Sequence, residues 1–253
     1  MLSEERRREI MGMLRTEGRV LVRELSKHFR TSQITVRKDL EYLHHEGHLE
    51  RTHGGALPNA TSVLQDSPLR EKERQNRPEK IRIAGAAVKK IRPGQVIILD
   101  SGTTTTAVAR ACRNTKNLTI ITNAMNIAGE LAGSSVEVIL TGGVLRQNSF
   151  SLVGPLAEES LRKLSADLLF LGVDGFDVRY GLTTPNLLEA RVNRVMTESA
   201  KRTIVVCDSS KFGRRSLSLI IPASAVRETI TDKNISKRDL KMLREAGVEV
   251  TLV

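Results

Sequence analysis

Tryptophan is absent from the 253 residues, and tyrosine and phenylalanine number only two and five. That scarcity argues against a stacking platform for single-stranded nucleic acid, which needs exposed aromatic faces. Cysteine is equally sparse. Cys112 and Cys207 have no CxxC spacing and no neighbouring histidine cluster, so they read as reduced, partly buried thiols, and neither a metal site nor a disulfide frame is expected. Long apolar runs are missing too: no stretch approaches the ~20 residues that cross a bilayer. The N-terminus is dense in Glu and Arg where a signal peptide would carry an apolar core. A cytoplasmic chain with no membrane association is expected. No internal repeat or low-complexity tract interrupts the sequence.

What the chain does hold is aliphatic residues and charge. Apolar residues make up 40% of it, enough for a sizeable core, and 253 residues suit one or two domains. The formal charge of +11 favours an acidic partner, because such a field speeds association with a polyanion. The excess is not where that story would place it. Residues 1–57 hold 11 Lys and Arg against 9 Asp and Glu, whereas residues 81–253 hold 24 against 16. Bulk charge is weak support for nucleic acid here, and pattern must carry the inference.

Residues 20–51 supply that pattern. Leu21, Leu25 and Phe29 fall four apart and share one stripe of a helix. Thr31 and Ser32 can cap a following helix, whose Val36, Leu40 and Leu43 form its apolar side. The opposite side carries Gln33, Thr35, Arg37 and Lys38 near the helix N-terminus, the end that a recognition helix pushes into the major groove. Gln33 and Thr35 suit base edges; Arg37 and Lys38 can read bases too but neutralise phosphate more readily. Gly47 can end this helix. His48 to His53 alternates up to Gly54-Gly55 as a small hairpin wing would, offering Arg51 and His53 as a second backbone contact. Ser32, Gln33, Thr35, Arg37, Lys38, Arg51 and His53 are therefore the expected DNA-binding face. The plainer alternative is a helical subdomain whose charges are merely solvated.

Pro58, Pro68 and Pro78 punctuate a polar stretch, so residues 58–77 are expected to link a head, 1–57, to a second domain, 78–253. In that stretch Arg70, Lys72, Arg74 and Arg77 alternate with Glu71 and Glu73, as on a solvated helix or coil. From Pro78 onward helices and apolar strands alternate, which predicts an α/β domain with a mainly parallel, Rossmann-like sheet. Helices are expected at 79–91, 104–112, 125–132, 155–164, 186–200 and 236–246. Strands are expected at 96–99, 118–121, 136–140, 168–173, 203–207, 227–231 and 248–252.

Ligands of open α/β sheets collect at the carboxyl ends of the strands. After the first strand comes Asp100-Ser101-Gly102-Thr103-Thr104-Thr105, leading straight into a helix. Gly102 lets the backbone turn, the amides at the helix start face an anion, and the hydroxyls add donors, so the loop suits a phosphate. A well-capped helix would look the same. Thr122-Asn123, Thr141-Gly142-Gly143, Gly172-Val173-Asp174-Gly175 and Asp208-Ser209-Ser210-Lys211 end other strands on the same rim. Each alone is an ordinary turn composition. Together they offer Asp100 and Asp174 to sugar hydroxyls and Lys211 to a phosphate or to one of those carboxylates.

With these residues the chain resembles the DeoR family of bacterial transcription regulators. The likeness runs from Glu5-Arg6-Arg7 through Thr35-Val36-Arg37-Lys38-Asp39-Leu40 to Arg51-Thr52-His53-Gly54-Gly55-Ala56, and is closest to regulators of amino-sugar and galactosamine use. It implies a winged helix-turn-helix followed by a sensor domain similar in fold to ribose-5-phosphate isomerase, responsive to phosphorylated sugars. The pieces matching that sensor are the strand ends above together with Glu189. Asp174-Gly175-Phe176-Asp177 and Glu189 partly match the isomerase pattern, but its lysine-glycine stretch is replaced by Gly181-Leu182-Thr183-Thr184. Removing groups that stabilise the transition state typically costs ~10²-fold or more, so binding without turnover is expected, with no catalytic residue and no cofactor. The expected function is a sequence-specific regulator, a repressor of a sugar or amino-sugar catabolic operon relieved by a phosphorylated sugar. Its partners would be double-stranded operator DNA, the sugar phosphate and further copies of itself as a dimer or tetramer. An activator or dual regulator stays open, as does an isomerase with an accessory DNA-binding head.

Overall fold

The computed structural model describes residues 2–17, 19–46, 48–58, 63 and 66–253. Gly47, expected to end the recognition helix, lies outside the described residues, as do residues 59–62, 64 and 65 of the expected linker. The chain divides into two compact units, Met1–Ser62 and Val63–Val253.

The first unit contains α1 (Ser3–Glu17), β1 (Val20–Leu21), α2 (Val22–His28), α3 (Gln33–His45), β2 (Leu49–Thr52) and β3 (Gly55–Pro58). Ile10 and Leu14 of α1 pack with Val22 and Leu25 of α2, and with Val36, Leu40 and Leu43 of α3, in one buried cluster. Ser32 caps α3, its hydroxyl accepting the Thr35 N–H at 3.1 Å. Leu21 departs from the expected stripe. It pairs with Gly55 in a three-stranded antiparallel sheet of order β1-β3-β2, and Val22 takes the first buried place in α2. The wing thus gains a strand that two residues of sequence cannot announce. Gly55 is needed there, because a Cβ would stand 1.9 Å from the Val20 carbonyl oxygen. Asp39, buried on α3, accepts from Arg6 Nε (2.5 Å) and Arg7 Nε (2.9 Å) and so ties α1 to α3.

The second unit begins with α4 (Leu69–Arg74) and α5 (Arg77–Val88) and continues with β4 (Val96–Leu99), α6 (Thr103–Cys112), β5 (Thr119–Thr122), α7 (Met125–Leu131) and β6 (Glu137–Leu140). A hairpin, β7 (Val144–Arg146) and β8 (Ser151–Val153), precedes α8 (Pro155–Arg162), β9 (Ala166–Leu171), β10 (Gly175–Asp177) and β11 (Gly181–Thr184). The chain ends with α9 (Leu187–Ser199), β12 (Ala200–Val206), β13 (Ser218–Pro222), β14 (Glu228–Thr231), α10 (Lys237–Glu245) and β15 (Glu249–Leu252). Seven strands form a parallel sheet of order β15-β14-β12-β9-β4-β5-β6. Successive side chains on a strand face opposite ways, so each central strand feeds two cores. Ile97 and Leu99 join Ile83, Val108 and Ile127, while Ile98 joins Leu161, Val192 and Val195.

Three features depart from the sequence reading. The β7–β8 hairpin and the small sheet β10-β11-β13 were not expected, being built of strands of three to five residues. Strand 168–173 runs instead from Ala166 to Leu171, which places Gly172 to Asp174 beyond its end. Residues 66–77, expected as a solvated linker, fold onto the second unit: Leu69 is buried and Lys72 reaches Asp174. Charged residues flank an amphipathic turn here, and its inward side finds carboxylates rather than water.

Candidate functional site

On the first unit Gln33, Arg37 and Lys38 are exposed along the N-terminal half of α3 and make no side-chain hydrogen bond or ion pair among the described residues. They are free to meet a ligand. Ser32 and Thr35 are engaged with each other, hydroxyl to hydroxyl at 2.9 Å, as parts of the cap. Arg51 on β2 lies 3.4 Å from Glu41 and is exposed, as is His53 in the turn that follows. The sequence reading passed over Ile34, which is 65% exposed beside Gln33 and offers an apolar contact of the kind a thymine methyl accepts.

In the second unit the strand ends converge. Asp100, fully buried after β4, accepts from the Gly172 N–H (3.1 Å) and the Ser101 hydroxyl (3.4 Å). The Asn193 amide, oriented with its nitrogen toward these acceptors, donates to Asp100 Oδ1 at 3.0 Å. Burial, and then the nearby Glu189, push the Asp100 carboxyl well above the ordinary range. Of the threonines that open α6, Thr105 and Thr106 donate to the Gly102 carbonyl (2.9 and 2.6 Å), so their hydroxyls serve the helix start. Thr103 is half-buried at the helix mouth and Thr104 is buried. Thr122 and Asn123 turn out to be braces. Thr122 donates to the Leu99 carbonyl (2.7 Å) and Asn123 to the Leu152 carbonyl (3.1 Å), pinning β5 to β4 and to the hairpin. Gly142 (φ 74°) and Gly143 (φ 123°) turn the chain from β6 into that hairpin. A Cβ on Gly143 would meet the Val153 carbonyl oxygen at 2.7 Å.

Beyond β9, Asp174 accepts from Lys72 Nζ at 2.6 Å and from the Thr184 hydroxyl at 3.4 Å. Partial burial opposes its ionisation, but Lys72 and Lys211 outweigh that and hold the carboxyl below the ordinary range. Gly175 lets β10 close on Thr183, whose hydroxyl a Cβ would meet at 2.5 Å. Glu189, at the start of α9, accepts from Arg146 (2.6 Å), Ser151 (2.8 Å) and Thr184 (3.3 Å). Lys211 is half-buried in the short 3-10 turn after β12 and forms no ion pair among the described residues, although its charge reaches Asp174.

Four residues of this cluster escaped the sequence reading. Lys72 and Arg146 carry its paired positive charge, and Asp66 bridges them, 2.5 Å from Arg146 and 3.8 Å from Lys72. Lys80, buried in α5, donates to the carbonyls of Lys72 (2.6 Å) and Gln75 (2.7 Å) at the end of α4. Burial, with Lys211 adding to it, lowers its ammonium to about 8. Lys80 could have been found, since it shares helical spacing with Ile83, Ala84 and Ala87 and so holds a core position. A groove of about 390 Å³ opens beside α4, lined by Leu69, Arg70, Glu73, Thr103, Met125 and Phe150 among others. Asp66, Asp100, Asp174 and Glu189 do not line it. α4 borders both groove and carboxylates, with Leu69, Arg70 and Glu73 on the groove and Lys72 on Asp174.

Cys112 and Cys207 are fully rather than partly buried, and burial raises the Cys112 thiol to about 11 and Cys207 further. Among the described residues no helix is long and apolar enough to cross a membrane.

Two family models match the chain: a DeoR-like helix-turn-helix domain over residues 6–62 and a DeoR C terminal sensor domain over residues 75–233. A transcriptional repressor assigned to the aga operon of Escherichia coli O157:H7 is 44% identical over 251 residues, covering 98% of this chain and 93% of that protein. The glycerol-3-phosphate regulon repressor of Escherichia coli (strain K12) is 30% identical over 253 residues, covering 100% of both. Among solved structures, ribose 5-phosphate isomerase A of Methanocaldococcus jannaschii is similar at a TM-score of 0.42 and 18% identity, over 55% of each chain.

Proposed function

The chain belongs to the DeoR family of DNA-binding transcription regulators, and from that premise we propose that it represses a sugar or amino-sugar catabolic operon until a phosphorylated sugar occupies its sensor domain. It is a regulator and not an enzyme. The observation that carries the sensor half is the joining of Lys72, Arg146 and Lys211 with Asp100, Asp174 and Glu189 at the carboxyl ends of the parallel sheet. Cations of this kind suit a phosphate, and carboxylates, whose oxygens can each accept a further bond, suit sugar hydroxyls. Ser101, Gly102 and Thr103 at the mouth of α6 add backbone and hydroxyl donors to the same rim. On the other unit Gln33 and Ile34 would read bases while Arg37, Lys38, Arg51 and His53 meet phosphates. Operators present two half-sites to such heads, so a homo-oligomer working in the cytoplasm fits the reading.

Binding to duplex fragments from the protein's own chromosomal neighbourhood tests this. One fragment should bind at least ~10³-fold more tightly than random duplex at the same salt. A phosphorylated sugar from a panel should then weaken that binding roughly 5- to 150-fold, with its unphosphorylated counterpart inert. Equal binding to all duplexes would refute the operator reading, and a panel without effect would refute the effector reading.

A further inference from the structure

Resting on that reading of the strand ends, we propose that residues 66–74 are a latch which the ligand displaces, the Asp66 carboxylate standing on the guanidinium that the ligand's phosphate takes. Three bonds tie the latch to the β7–β8 hairpin, while Lys72 on Asp174 and Glu73 on Arg110 hold its α4 part. Arg146 Nη2 meets Asp66 Oδ2 at 2.5 Å, Asn148 Nδ2 donates to the Asp66 carbonyl at 2.6 Å, and the Leu69 N–H donates to the Asn148 carbonyl at 2.8 Å. The same hairpin holds the site, because Arg146 also binds Glu189 at 2.6 Å and Ser151 donates to it at 2.8 Å. One guanidinium is therefore divided between a carboxylate of the rim and a carboxylate of the segment that leads into the sensor domain from the helix-turn-helix unit.

Charge balance decides what gives way. In ion pairs two cations, Lys72 and Arg146, already serve three carboxylates, Asp66, Asp174 and Glu189, and Lys211, acting on Asp174 from further off, only brings the cluster to balance. A phosphate ester brings about −1.5 to −2 further charge at neutral pH, and like charges crowded on so few cations repel. Glu189 is fixed on α9, and Asp174 is held by its own N–H on the Thr183 carbonyl at 3.1 Å. Asp66 and Asp174 both stand on neither helix nor strand and are both 22% exposed, but the Asp174 carboxylate is held by Lys72 at 2.6 Å and by the Thr184 hydroxyl, so Asp66 is the freer of the two to turn its carboxylate into water. Geometry agrees: α4 borders the open groove through Leu69, Arg70 and Glu73 and holds Asp174 through Lys72, so moving α4 widens the approach to the carboxylates. Occupancy then loosens the chain just before the sensor domain, and a closed latch weakens the ligand by the same factor.

The test uses full-length wild-type, Asp66→Ala and Asn148→Ala proteins, inorganic phosphate as the probe in calorimetric titration, and amide hydrogen exchange over residues 66–75. Phosphate should speed exchange of that segment in the wild-type protein. Asp66→Ala should bind phosphate about ten-fold more tightly, but deleting a negative charge near an anion site would do so without any latch. Asn148→Ala removes no charge and breaks one latch bond, so it should tighten phosphate binding about three-fold. Phosphate binding to Asn148→Ala with wild-type affinity, or binding to the wild-type protein with segment 66–75 equally or better protected, overturns the latch and leaves the effector site standing. Failure of all three proteins to bind phosphate overturns both.

Discussion

Lys80 shows what one misplaced charge does to a fold. Its ammonium is 5% exposed, donates to two carbonyls and titrates near 8 against an ordinary 10.5. Below about pH 8 the folded and unfolded chains both carry the proton, and the cost of burying the charge is felt in full. Between about 8 and 10.5 the folded chain has released a proton that the unfolded chain keeps, so stability rises with pH. Urea unfolding of wild-type and Lys80→Met proteins across that window should show the wild-type gaining up to ~3 kcal/mol relative to the variant. A pH-independent difference would mean that folded Lys80 keeps its proton through the whole window and that burial does not lower its ammonium. Arg37 poses the complementary case, an exposed cation without an ion-pair partner among the described residues. Arg37→Ala should weaken operator binding and flatten its dependence on log salt by nearly one unit of slope, whereas an unchanged slope would take Arg37 off the phosphates. Arg37 was read from its spacing, and Lys80, which was passed over, could have been. Lys72 and Arg146 could not, since their partners Asp174 and Asp66 lie 102 and 80 residues away and only the fold brings them together.

Elements were legible in proportion to their length and periodicity. The recognition helix was read correctly on Val36, Leu40 and Leu43, all buried, and the seven parallel strands show as apolar runs because both faces of the sheet are covered. Strands of two or three residues, such as β1 and the β7–β8 hairpin, contain too little sequence for any period to appear. One clue at this scale lay in plain view. Asp39 interrupts the apolar face of α3 as a buried acid, and Arg6 and Arg7 of α1 are what it binds, with the Arg7 guanidinium also 3.7 Å from the centre of the Tyr42 ring. α1 therefore sets the angle of the helix that would enter the groove. Asp39→Ala should destabilise the helix-turn-helix unit by about 3 kcal/mol, the low end for a broken buried pair because both arginines can reach water. Tyr42 emission in a Tyr180→Phe background, followed through urea, reports that unit alone, as the chain holds only these two tyrosines. A midpoint that stays in place would show α1 to be held by its apolar contacts through Ile10 and Leu14.

Over the whole molecule, the excess positive charge sits mainly in the sensor half, where much of it is paired with carboxylates, so charge alone misdirects a search for the DNA-binding face. The chain has two units with separate cores, one cluster around Ile10 and Leu25 and two around the parallel sheet, and the proposed function requires that their ligands answer to each other. Linkage makes that relation measurable without knowing the path between them. A ligand that binds only folded protein stabilises it by RT ln(1 + [L]/Kd). In calorimetry, sugar phosphate should raise the transition of the sensor unit and operator duplex that of the helix-turn-helix unit. If induction works by antagonism, the two added together must stabilise less than the sum of their separate effects, by the coupling free energy of about 1 to 3 kcal/mol. Strictly additive shifts would mean that each ligand is blind to the other, and repression would then have to be relieved by something other than the sensor's own ligand.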